Sequence, residues 1–140
     1  MGKGAFIHIT NKTKQGQLMR VSVTAHHCMN ATGNWDDLLP YNSSADNYIE
    51  AKASGSCAFS TSEFGLKFSI LDTTTGNFDT IGTIMLKEKN NTWRISNNSP
   101  NVHLAREYED KQFHFWFDIS EPMTLETAQN GDAAASQNNS

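Results

Sequence analysis

Several familiar signatures are missing from this 140-residue chain, and each absence excludes something. No apolar run approaches the ~18–20 residues that a helix needs to span a bilayer. There is no Gly-x-Ser-x-Gly and no His-Glu-x-x-His, and the nine glycines are scattered rather than gathered into a phosphate-cradling loop. Serine-hydrolase, zinc-protease and nucleotide-binding readings therefore have no motif to rest on. Cysteine is scarce. Cys28 and Cys57 are not a Cys-x-x-Cys pair, which removes the zinc-ribbon and thioredoxin-like readings. They allow one disulfide in an exported protein or two buried thiols in an intracellular one.

A surplus of positive charge is missing too. The formal net charge is −4, and residues 121–140 hold three acids and no base. The rest of the chain is nearly neutral and lacks the basic footprint of a nucleic-acid binder. The opening residues, from Met1 to Phe6, contain neither a secretory apolar stretch nor the Ser or Thr of a myristoylation signal. The expectation from this is a protein that is cytoplasmic or exported by a non-classical route. Six Asn-x-Ser/Thr sequons occur, but Asn, Ser and Thr together make 40 of the 140 residues, so the sequons follow from composition.

Aromatic residues and alternation are what the chain does have. In residues 112–119, Phe113, Phe115, Phe117 and Ile119 alternate with His114, Trp116 and Asp118. Side chains of a strand point to opposite faces with period two, so this stretch buries one aromatic face and turns Trp116 and His114 the other way. Phe64, Leu66, Phe68 and Ile70 share a face in the same manner, as do Met19, Val21 and Val23. Ile84 and Leu86 are expected to be buried on a strand over 80–88. Residues 5–10 and 18–25 are predicted to form a hairpin, 47–53 a weaker strand, and 102–107 with 112–119 a last hairpin. Helix is limited to a turn or two near 35–39. About eight or nine short strands with frequent turns predict an all-β protein, a single-domain antiparallel β-sandwich over residues 1–127. Residues 128–140, polar and without apolar anchors, are expected to be a disordered tail.

One connection is too long for such an economical fold. Residues 28–46 carry Trp35, Asp36, Asp37, Leu38, Leu39 and Tyr41 in about nineteen positions. Loops beyond roughly 12–15 residues are uncommon and tend to be functional. Trp35 and Tyr41 could stack on a sugar or enter a membrane interface while Asp36 and Asp37 accept hydroxyl or headgroup hydrogen bonds. Packing over the end of the core is the structural alternative. Trp93 and Trp116 are further candidates, each either core or surface. His26, His27 and Cys28 are adjacent, so on a strand they face opposite ways and cannot easily share a metal ion. A catalytic reading would need His27, Cys28 and a carboxylate to converge.

Ser56-Cys57, residues 68–72, Gly76 and residues 91–93, together with the opening Ile7-His-Ile-Thr-Asn11, resemble the aegerolysin family. Those are small acidic β-sandwich proteins that bind membrane lipids, often sphingolipids, and in some cases recruit a pore-forming partner. The family's Trp-Asp-Cys-Pro-Trp block has Gly82-Thr-Ile-Met-Leu-Lys87 in its place. Cys57 and Trp93 are the positions that carry over. The resemblance implies binding to membrane lipids.

Together these readings predict a non-enzymatic binding protein, with no cofactor, metal or nucleic-acid partner. It would recognise a membrane lipid or glycolipid surface through the long aromatic loop, with Trp35, Asp36, Asp37, Tyr41, Trp93 and Trp116 as ligand-binding candidates. A soluble lectin, with or without calcium, is one alternative. The other is a protein-interaction module, such as an inhibitor or toxin-neutralising partner, that meets another protein through the Trp116–His114 face; a homo-oligomer is a further expectation, with no surface assigned to it.

Overall fold

The computed structural model describes residues 2–35 and 37–122. Within them, alternating apolar side chains form ten strands in two five-stranded sheets. The front sheet contains β1 (Gly4–Asn11), β3 (Met29–Ala31), β5 (Ser44–Ala51), β9 (Val102–Glu109) and β10 (Phe113–Ile119) in the order β3-β5-β1-β10-β9. The back sheet contains β2 (Met19–His27), β4 (Leu38–Leu39), β6 (Ser62–Leu71), β7 (Phe78–Lys89) and β8 (Thr92–Asn98) in the order β4-β2-β6-β7-β8. One core joins the two. Ile7, Ile9, Phe115 and Phe117 from the front meet Val21, Phe64, Leu66 and Phe68 from the back, all essentially inaccessible to solvent. The all-β sandwich expected from alternation is the fold of the protein, and the strand pairs are antiparallel except β1 with β10, which run parallel.

The free edges are blunted. β3 and β4 are two or three residues long, and the pairings of β8 and β9 each contain a bulge. β9 also turns Glu107 and Glu109 toward the side that its neighbours in β10 bury, yet both remain exposed. Short edges, bulges and inward-pointing charges all discourage pairing with another strand.

Several expectations are corrected. β1 and β2 do not form a hairpin; they lie in different sheets. The chain crosses between them around Asn11, which is fully buried. Its amide donates to the carbonyls of Gln17 (3.1 Å) and Leu39 (2.9 Å), and its Oδ1 accepts from Thr13 N (3.0 Å). Those bonds supply the backbone partners that a hairpin ladder would otherwise have given. Val23 is 37% exposed rather than buried with Met19 and Val21, because the β2–β6 register shifts after Val23. Where a helical turn is expected near 35–39, Leu38–Leu39 form strand β4 instead, and the one 3-10 turn among the described residues is Gly55–Cys57. The long connection is not one loop, because β3 and β4 lie within it and raise the strand number above eight or nine. The expected polar tail and the end of the expected domain lie outside the described residues.

Candidate functional site

Of the two rings in the long connection, Trp35 turns inward and Tyr41 stays exposed. β3 lies at the front-sheet edge and β4 pairs with β2 at the back-sheet edge, and the open side of the sandwich lies between these two edges. Trp35 fills that gap at 3% exposure, and its indole N–H donates to Thr32 O at 2.7 Å. The turn depends on Gly33, at φ +81°. A Cβ there would lie 2.8 Å from both Asn47 Cβ and the Trp35 ring nitrogen. Asn47 clamps the same turn, accepting from Asn34 N (2.9 Å) and donating to Asn34 O (2.8 Å). Trp93 is likewise core, 2% exposed, with its ring N–H donating to Lys3 O at 3.0 Å. Neither indole can touch a ligand at the surface. Asp37 and Tyr41 are exposed, and Asp36 lies outside the described residues. Tyr41 borders an open hollow of about 480 Å³ with Gln15–Leu18 and Pro40, beside the C-terminal end of β1. Of the six ligand-binding candidates, Trp116 is the one that belongs to a larger surface constellation, together with His114.

A ring that the sequence reading passed over stands furthest out. Phe59 is 104% exposed and has φ +66°. A left-handed backbone is strained for a bulky residue, and such strain persists only where the surroundings impose it. Here they do. The Cys28–Cys57 disulfide ties the 3-10 turn to the junction of β2 and β3, and Cys28 O accepts from both Lys52 N (2.7 Å) and Ser62 Oγ (2.8 Å). Ser60 N closes on Cys57 O at 3.1 Å, so Phe59 sits at the tip of a pinned loop. Beside it lies a hollow of about 290 Å³, bounded by Lys52, Phe59, Glu88 and Lys89. Glu88 is buried and accepts from Asn91 N at 2.9 Å, while Lys52 and Lys89 form no ion pair among the described residues. Ala51 N bonds to Lys3 O, which places this tip near the N-terminal end of β1, opposite Tyr41. The sequence did hold a signal: Phe59 is the lone aromatic in a Ser-, Ala- and Gly-rich run without alternating apolar partners.

The outer face of the front sheet is a second constellation. Pairing register aligns Tyr48, Phe6, His114 and Tyr108 in one line across β5, β1, β10 and β9. The next line is Asp46, His8, Trp116 and Arg106. The rings stack: His8 on Trp116 at 4.3 Å, and His114 between Phe6 at 5.0 Å and Tyr108 at 4.3 Å. Arg106 lies 4.9 Å from the Trp116 ring centroid. His8 Nδ1 donates to Asp46 (2.7 Å), and His114 Nε2 donates to Asp110 (3.0 Å). The Gln112 backbone N–H, followed by His114, holds the Asp110 carboxyl below the usual carboxylate range. The outer face of the back sheet, with Arg20, Ser22, Lys67 and Thr83, is polar in the ordinary way.

Burial first, and then the hydrogen bond that Tyr48 donates to Glu50 (2.8 Å), push the Tyr48 phenol up to about 12. A raised folded value stabilises the protein below the ordinary tyrosine value of about 10, and that contribution is lost as pH rises through the folded one. In Glu50→Gln, Tyr48 should ionise at lower pH than in wild type but still above about 10, because desolvation remains. An absorbance titration of phenolate formation, with Tyr48→Phe assigning the signal, measures it; an unchanged titration would contradict the assigned role of Glu50.

Cys28 is disulfide-bonded and offers no thiolate, so the conjectured His27–Cys28 pair does not form a nucleophile. Among the described residues, no group of three His, Cys, Asp or Glu side chains is placed to hold a metal ion. Comparison with protein-family models, with curated proteins and with solved structures found no match to this chain.

Proposed function

We propose that this β-sandwich is a binding module that docks on a phospholipid surface through its Phe59 end. The observation that carries the reading is Phe59 itself, a fully exposed aromatic ring on a strained backbone held by a disulfide-anchored loop. Exposing that ring gains the isolated protein nothing, whereas burying a phenylalanine in an apolar medium is worth about 1.5–3 kcal/mol. Lys52 and Lys89 flank the adjacent hollow, where each can meet the phosphate of a lipid headgroup while the ring enters the acyl boundary. The anchoring matters because a loop already in its bound shape loses little entropy on docking. The disulfide suits work in an oxidising compartment, and the resemblance to aegerolysins points toward the same class of ligand.

Vesicle co-sedimentation tests the reading. Phe59→Ala should lower the partition coefficient about tenfold or more. The Lys52→Glu/Lys89→Glu protein should lose a comparable factor on vesicles containing phosphatidylserine, with a smaller change on neutral ones. Equal pelleting of wild type and Phe59→Ala, or none by wild type on phosphatidylcholine, phosphatidylserine-containing and sphingomyelin–sterol vesicles, would sink the proposal.

A further inference from the structure

A solvated sheet face normally carries polar side chains, and the outer face of the back sheet obeys that rule apart from Leu38 at its edge. The front sheet does not: Phe6 is 37% and Tyr108 42% exposed, continuous with Tyr48, His114 and Trp116. Contiguous aromatic surface of this kind marks an interaction site. Arrangement of the charges on the same face limits what can cover it.

We infer that the face is covered by a second copy of this chain, packed face to face about a two-fold axis that runs along the strands between β1 and β10. Such an axis exchanges the positions of β1 with β10 and of β5 with β9, which flank it symmetrically in the sheet order. Residues of one cross-strand line then face the same line of the second copy in reverse order. Asp46 meets Arg106 of the second copy, and Arg106 meets Asp46, so one pairing is made twice. His8 falls over Trp116, Tyr48 over Tyr108, and Phe6 over His114. In the next line Thr10 faces Asp118, and Ser44 faces His103. An isologous contact must be self-complementary in this way.

Twist does not defeat the register. Packed sheets cross at roughly 30°. Asp46 and Arg106 lie about 7 Å from the axis, one and a half strand spacings, so the crossing shifts them by about 4 Å, within the reach of an arginine side chain. Beyond the Tyr48 line the same operation would bring Glu50 toward Asp110, which limits the interface at that rim. Strand-edge association is disfavoured by the blunted edges, which leaves the face as the available contact. Because the axis follows the strands, both Phe59 tips emerge at the same end of the pair. That consequence joins the membrane reading, but the dimer itself does not rest on it.

Sedimentation equilibrium of the purified full chain without lipid, from micromolar to millimolar concentration, tests the inference. Wild type should show reversible self-association to a dimer. Asp46→Arg alone and Arg106→Asp alone each place like charges opposite one another twice, and each should raise the dissociation constant about tenfold or more. Mixed in equal amounts, the two variants should form a heterodimer near wild-type affinity, because opposite charges then face one another again at both contacts. Far-ultraviolet circular dichroism confirms that each variant is folded. A wild type that stays monomeric at millimolar concentration overturns the proposal whatever the variants do. Dimers indifferent to either charge reversal, or folded variants that fail to combine on mixing, overturn it too.

Discussion

Trp35→Ala should lower folding stability by about 3–5 kcal/mol, the range for removing a large buried aromatic side chain. The indole is part of the core cluster and lies at the open side of the sandwich between the β3 and β4 edges. Gly33 and Asn47 shape the turn around the ring, so its loss leaves a cavity and an unpaired Thr32 carbonyl rather than a collapsed loop. In urea the transition midpoint should fall with little change in slope. In a thermal scan the midpoint should fall by roughly 10 °C or more. Folded Trp35→Ala protein should still bind vesicles as wild type does, because the indole makes its hydrogen bond to Thr32 and none to the disulfide-anchored Phe59 loop. A loss below about 1 kcal/mol would mean that the indole is not core, and a selective loss of vesicle binding would return the loop to a recognition role.

The disulfide carries the second large effect. Cys28 and Cys57 close a loop of sequence separation 29, and confining the unfolded chain over that length contributes about 3–4 kcal/mol. Cys28→Ser/Cys57→Ser should lose most of it, as should reduction of wild type. This substitution also acts on the proposed function, since Cys57 lies two residues before Phe59 and holds the turn that aims the ring. Vesicle affinity should therefore fall in the double variant at temperatures where circular dichroism shows it folded, whereas Trp35→Ala keeps it. Unchanged denaturation on reduction would remove the disulfide from the list of what supports the fold. Unchanged vesicle binding by the folded double variant would show that Phe59 needs no pinning.

Legibility differed from residue to residue for physical reasons. The buried faces at Phe64–Phe68, Ile84–Leu86 and Phe115–Ile119 follow from alternation, which depends only on neighbours one and two positions away. Trp116 and His114 were placed on the outward face by the same rule. Trp35, for which the sequence leaves binding and core packing both open, and Phe59, for which it assigns nothing, both lie in irregular segments, where no period says which way a side chain points. The glycine and asparagine around Trp35 are ordinary turn formers in sequence. Only their meeting with Asn47, thirteen residues after Asn34, turns the ring inward.

From sequence alone, the strands, most of their buried faces and the near-neutral body were determined, because local geometry and composition suffice for them. Tertiary structure alone decided that β1 and β2 separate into different sheets, that β1 runs parallel to β10, and that Cys28 meets Cys57. It alone decided which loop ring is filler and which is exposed, and it alone aligned Asp46, His8, Trp116 and Arg106 from four strands into one line. Each of those outcomes depends on which distant segments share a gap or a register. That is settled by the packing of the whole core rather than by any residue and its neighbours.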